Sequence, residues 1–221
     1  MERSASQRAA AELVGTAFLL LAVVGSGIMA QRLSDDAGLQ LLENAFATAA
    51  TLYVLIALLG PVSGAHFNPA VTLWARIRGD VGTSVAAVYV VAQVVGGVAG
   101  TVGANVMFEL PTAWSTTQRV GTGTVVAEVV ATFGLVLVIA GLVRAGQERR
   151  IPGGVAAYIA GAYWFTSSTS FANPAVTLAR TLTDSFAGIH IGSVLPYVAA
   201  QVVGALLAIP VARLLFPNPQ A

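Results

Sequence analysis

The chain has 221 residues, 56% of them hydrophobic and 10% charged, with a formal net charge of +1 and a mean hydropathy of +0.79. A soluble domain carries about 25% charged residues, so this chain cannot cover its surface with polar groups and its solvent is lipid. The charge balance leaves no basic footprint for nucleic acid. The absence of cysteine excludes disulfides, thiolate metal sites and thiol catalysis.

Taken in chain order, the first apolar run covers 9–31 and follows Arg3 and Arg8. That is the outline of a secretory signal, but the run has a near copy inside the chain, which argues for a membrane span instead. A second run covers 39–61, and after it comes "HFNPAVTLWAR" at 66–76. Asn followed by Pro and helix-tolerant residues reads as a helix start, with Asn68 at the N-cap and Pro69 at the first helical position. Further runs cover 82–106, 124–145, 152–169 and 190–214, each near the ~20 residues that cross a bilayer. Between the last two lies "FANPAVTLAR" at 171–180, a second helix start at Asn173 and Pro174.

The chain is an internal duplication. "AELVGT" at 11–16 returns as "AEVVAT" at 127–132, NPAVTL returns, and "AQVVGG" at 92–97 returns as "AQVVGA" at 200–205. The landmarks keep their order, with offsets of 116, 105 and 108 residues, which is a strong repeat signal. The repeats cover about 9–106 and 124–214 of a single domain, 1–221. Each holds three spans, so the second enters from the opposite side and the functional site is expected at the midplane between the halves. Arg3, Arg8, Arg76, Arg78, Arg144, Arg149, Arg150 and Arg213 fall on one side, against Arg32, Arg119 and Arg180 on the other. By the positive-inside rule both termini are cytoplasmic, and the expected location is multi-pass in the cell (inner) membrane.

Segments 68–77 and 173–182 are too short to span. They read as half-helices that dip in from opposite faces, because irregular backbone at that depth is tolerated only where it lines a watery cavity. Their N-termini carry partial positive charge, and the amides of Asn68 and Asn173 add donors. Such a spot suits small neutral hydroxylated solutes and opposes cations. The fold class is therefore an all-α membrane protein with six transmembrane helices and two re-entrant half-helices in two inverted repeats.

On "SGAHFNPAVT" at 63–72, the second Asn-Pro-Ala at 173–175 and the two "AE" helix openings, the chain resembles the aquaporins, the major intrinsic protein family. The resemblance implies a homotetramer in membrane lipid with one pore per subunit, and Asn68, Pro69, Ala70, Asn173, Pro174 and Ala175 as its paired NPA motifs. It implies a passive channel, no catalytic residue, no cofactor and no metal.

Glu12 and Glu128 are carboxylates inside predicted spans, at equivalent repeat positions. An ionised carboxylate in hydrocarbon needs hydrogen bonds. A proton relay is one reading; acceptance from the backbone N–H groups of a re-entrant loop is preferred. His66 is expected to brace its loop or line the pore, and His190 to sit in a vestibule. Trp74, Trp114 and Trp164 read as interface or packing aromatics, and "GGVAG" at 96–100 permits close helix packing.

The family pattern places Arg three residues after the second NPA asparagine; here that position is Val176. By distance from the motifs, the other filter positions fall on Thr48, Gly161 and Ser170. That set has no charge and no bulky aromatic, so a wide neutral filter is expected. It resembles a bacterial aquaglyceroporin-like subgroup associated with arsenic resistance, with arsenite as As(OH)₃, methylated arsenicals, glycerol-like polyols and water as implied solutes. A water-selective aquaporin and a proton-coupled transporter are the alternatives. Arg180, one helical turn after Val176, is expected in or beside the outer vestibule, or else at a helix C-terminus or paired with Asp184.

Overall fold

Ser4 opens the first helix through a capping box: its side chain accepts from Gln7 N–H, and the Gln7 side chain accepts from Ser4 N–H. The computed structural model describes residues 3–216, so the outermost ends of the domain expected over 1–221 lie outside the described residues. Helix α1 runs Ala5–Leu33, and Asp36 caps α2, Ala37–Ser63, by accepting from Leu39 N–H. Helix α3, Pro69–Arg78, is short and stops at Gly79 with φ 90°, a conformation that glycine adopts without a Cβ penalty. Helices α4, Thr83–Met107, and α5, Thr122–Arg144, are long and apolar. Helix α6 covers Ile151–Phe165, α7 covers Pro174–Ala179, and α8 covers Val194–Leu215.

Five of these helices are long and apolar enough to cross a bilayer: α1, α2, α4, α5 and α8 with the 3-10 turn that leads into it. The sixth expected span, 152–169, is shorter than the composition suggests. Thr166 Oγ1 bonds back to the Ala162 carbonyl, and from there the backbone leaves the helix. With the 3-10 turn Glu148–Arg150 ahead of it, α6 still reaches about 28 Å, close to the hydrocarbon thickness.

The two repeats build the same crossing twice. Helix α1 packs on α4, and α5 packs on α8. A Cβ at Gly96 of α4 would lie 2.2 Å from the Leu13 carbonyl oxygen, and one at Gly204 of α8 would lie 2.4 Å from that of Val129. Leu13 and Val129 each follow the repeat's glutamate. The glycines therefore let the helix backbones touch, which is how membrane helices gain packing without a hydrophobic driving force. Gly96→Ala should force α1 and α4 apart and cost about 1–3 kcal/mol or more. The expected result is lower folded yield and earlier thermal unfolding in detergent, while Gly60→Ala, whose Cβ would meet nothing within 4 Å, serves as control.

Candidate functional site

The site begins with the two buried glutamates. Glu12 accepts from the backbone N–H of His66 (2.9 Å) and Phe67 (2.7 Å), from Ser63 Oγ (2.6 Å) and from Gln93 Nε2 (2.7 Å). Glu128 accepts from the backbone N–H of Phe171 and Ala172, both at 2.9 Å, and from Gln201 Nε2 at 2.6 Å. Gln93 and Gln201 also bond Thr72 and Thr177, one on each short helix. Each glutamate therefore ties a non-helical segment and a short helix to a long one.

Those segments are unusual backbone. Ala65 and Phe67 on one side, and Ser170 and Ala172 on the other, have φ between 48° and 53°, a region that side-chain-bearing residues enter at a cost. The glutamates stabilise this path by taking up its N–H groups. Asn68 Nδ2 donates to the Ala172 carbonyl, and Asn173 Nδ2 donates to the Phe67 carbonyl, both at 2.7 Å. Each Asn oxygen caps its own helix by accepting from the N–H of Ala70 or Ala175 at 2.9 Å. The two short helices, entered through Pro69 and Pro174, therefore meet head to head.

A cavity of about 670 Å³ passes this junction. It is walled by residues four apart: Leu19 and Val23 on α1; Thr48, Leu52, Ile56 and Gly60 on α2; Leu135, Ile139 and Val143 on α5; Val155, Ile159 and Tyr163 on α6. One side chain per turn gives each helix one apolar stripe toward the lumen. His66 lines it from the α3 side, with Nδ1 3.0 Å from Thr72 Oγ1 and its ring edge-on to Tyr89. Trp74, expected as an interface or packing aromatic, is buried and lines the cavity beneath the Arg78 guanidinium.

Of the four expected filter positions, Thr48, Ser170 and Val176 line the cavity. Gly161 does not. It is exposed on the outer face of α6, where a Cβ would meet nothing nearer than Phe165 at 4.0 Å. Two residues on, about 200° around the helix, Tyr163 points inward and its hydroxyl donates to Thr48 Oγ1 at 3.2 Å. Counting twelve residues back from Asn173 misplaced the position, because the non-helical stretch 166–172 sets its own distance between α6 and the motif. The lumen therefore carries a bulky aromatic where none was expected. Gly161→Ala should leave water and glycerol permeability of proteoliposomes unchanged. Tyr163→Ala should raise glycerol permeability severalfold.

Arg180 is buried yet lines this cavity and also a second one of about 500 Å³ on the face away from the termini. Its guanidinium carbon lies 3.6 Å from the centre of the Phe171 ring, and Nε donates to the Ala187 carbonyl. Asp184, a pairing partner considered from sequence, instead accepts from the backbone N–H (2.9 Å) and hydroxyl (3.0 Å) of Thr116, which hold its carboxyl below the usual carboxylate range. His190 accepts from Gly192 N–H at the turn before α8. Among the described residues no cluster of His, Cys, Asp and Glu is suited to hold a metal ion.

The family model described as "MIP: Major intrinsic protein" matches residues 1–167. The chain belongs to the major intrinsic protein family. It is 48% identical over 209 residues to aquaglyceroporin AqpS of Rhizobium meliloti (strain 1021), spanning 94% of this chain and 89% of that one. It is 33% identical over 144 residues to aquaporin TIP1-2 of Zea mays, spanning 61% and 55%. The X-ray structure of the aquaglyceroporin from Plasmodium falciparum shares its fold with a TM-score of 0.72 over 97% of this chain and 98% of that one, at 18% identity. With five bilayer-length apolar helices in a family of channels, the protein is an integral membrane channel and not an enzyme.

Proposed function

We propose that the protein is a passive channel for small neutral hydroxylated solutes, glycerol-like polyols together with water. The observation that carries this reading is the cavity that passes Asn68 and Asn173 and is lined also by Ser170, Val176 and Arg180. Its walls are apolar stripes interrupted by a few hydrogen-bonding groups. A polyol can lay its carbon chain on the stripes while its hydroxyls exchange water for those groups. At the junction cations find half-helix N-termini and, further on, a guanidinium. The carboxylates that line the cavity, Asp80 and Glu148, belong to the segments after α3 and before α6 and not to the junction. The similarity to a protein named aquaglyceroporin supports the same solute class. As(OH)₃ and methylated arsenicals, compact and hydroxylated, would follow the polyol path.

A water-selective channel is the second reading, favoured by a bulky aromatic, Tyr163, and a guanidinium, Arg180, in the lining. Stopped-flow light scattering on proteoliposomes, with water, glycerol and arsenite measured side by side, separates the two. Glycerol permeability equal to that of empty liposomes decides for water alone.

Glu12 and Glu128, the carboxylates considered for a proton relay, are both engaged as acceptors from fixed donors. Flux is expected to follow the solute gradient alone. Accumulation of glycerol against its gradient after an imposed pH step would overturn the channel reading. The arginine distribution supports cytoplasmic termini, a location in the cell (inner) membrane goes with that orientation, and the family resemblance supports a homotetramer. Protease accessibility of tagged termini and native mass measurement test these two assignments.

A further inference from the structure

Arg180 is a buried cation without a carboxylate. The one ion pair among the described residues joins Arg78 and Asp80. Burying a guanidinium requires that its donors be used, yet only Nε has a protein acceptor among the described residues. Arg180 lines both cavities. Ser170 Oγ, which lines the larger cavity, is buried and lacks any hydrogen-bond partner. Two residues with unused polar groups therefore line the same cavity.

The guanidinium is held there by a built device. The loop after α7 offers three consecutive carbonyls to two arginines. Arg119 donates to Phe186 (2.7 Å) and Gly188 (2.6 Å), and Arg180 donates to Ala187 between them. Both guanidiniums also lie over the Phe171 ring, Arg119 at 5.4 Å and Arg180 at 3.6 Å. Phe171 is in turn fixed by its N–H bond to Glu128 and by edge contact with Tyr197. Gly188 is required by crowding: a Cβ would lie 2.3 Å from Ser115 Oγ and 2.4 Å from the Thr183 carbonyl oxygen.

We infer that Arg180, delivered one helical turn beyond Val176, is the specificity-determining donor of the channel, and that the carbonyl run 186–188 with Phe171 positions it. Its free N–H groups and Ser170 Oγ exchange hydrogen bonds with solute hydroxyls as water is stripped away. The inference rests on the proposed passage of polyols.

The test measures water and glycerol permeability of proteoliposomes holding wild type, Arg180→Met, Arg180→Lys and Gly188→Ala. Arg180→Met should lower the glycerol-to-water ratio about tenfold, the equivalent of one charge-assisted hydrogen bond. Arg180→Lys keeps a charged donor but loses the planar stack and the Nε bond, so it should fall between. Gly188→Ala should shift the ratio in the same direction through displacement of the loop. A purely structural role would lower both permeabilities together and leave the ratio unmoved. If Arg180→Met does not fold, Arg180→Lys and Gly188→Ala decide the matter. A ratio that is unchanged or raised in the folded variants overturns the inference. Failure of the polyol reading looks different, because wild type itself would then pass no glycerol.

Discussion

Val176→Arg is expected to lower glycerol permeability severalfold more than water permeability. Val176 is buried in the lumen wall with Thr48, Tyr163 and Ser170, so a longer side chain there has little room except the lumen itself. The residue four positions on is about 40° away around the helix, which puts the new guanidinium on nearly the same side as that of Arg180. The two cations repel each other, and the cavity that Val176 and Arg180 both line must now accommodate both. Water needs a single-file path and two hydrogen-bond partners, so it keeps some passage. Glycerol needs width and loses it. Because the measured quantity is a ratio, differences in expression do not disturb it. An unchanged glycerol-to-water ratio in stopped-flow measurements would mean that Val176 does not border the narrowest part of the path.

Glu128→Gln should act on stability instead. The carboxylate receives two backbone N–H groups and one side-chain amide. A glutamine offers one acceptor oxygen and turns its own NH₂ toward the remaining donor. Each buried N–H left unpaired costs about 1–3 kcal/mol, and the left-handed residues Ser170 and Ala172 would lose the bonds that offset their strain. Lower folded yield and an earlier melting transition in detergent are expected, with the glycerol-to-water ratio of the surviving channels nearly unchanged. Glu12→Gln should cost more, because Glu12 accepts four hydrogen bonds. A Glu128→Gln protein as stable as wild type, with a changed pH dependence of flux, would instead revive a proton relay.

Much of the architecture was legible because it rests on composition and local rules. A chain with 10% charged residues has lipid as its only workable solvent. Two Asn-Pro helix starts in a duplicated frame imply short helices entering from opposite faces. The structure does bring Asn68 and Asn173 together, each donating to the backbone beside the other. The repeated glutamates sit at equivalent positions because each half carries the same non-helical segment, with the same N–H groups to be satisfied.

The lining of the pathway was less legible. Placing Gly161 in the lumen assumed a constant residue count between α6 and the second motif, whereas the path of 166–172 depends on its bonds to Glu128 and Ser168. A four-residue stripe through Val155 and Ile159 leads to Tyr163 and was visible in the sequence, but nothing there says which face of α6 is inward. The consequence is a lumen with an aromatic and a guanidinium, where a wide neutral one was expected.

The sequence by itself determined the solvent, the duplication, the helix starts and the places where charge had to be neutralised. These depend on each residue's own chemistry and on neighbours within a turn or two. Only the tertiary structure decided that Tyr163 rather than Gly161 faces the lumen, and that Arg180 lines two cavities. Both depend on helix rotation and on carbonyls at 186–188 reaching arginines from two different segments. Such contacts are set by packing across the whole bundle, and no local pattern encodes them.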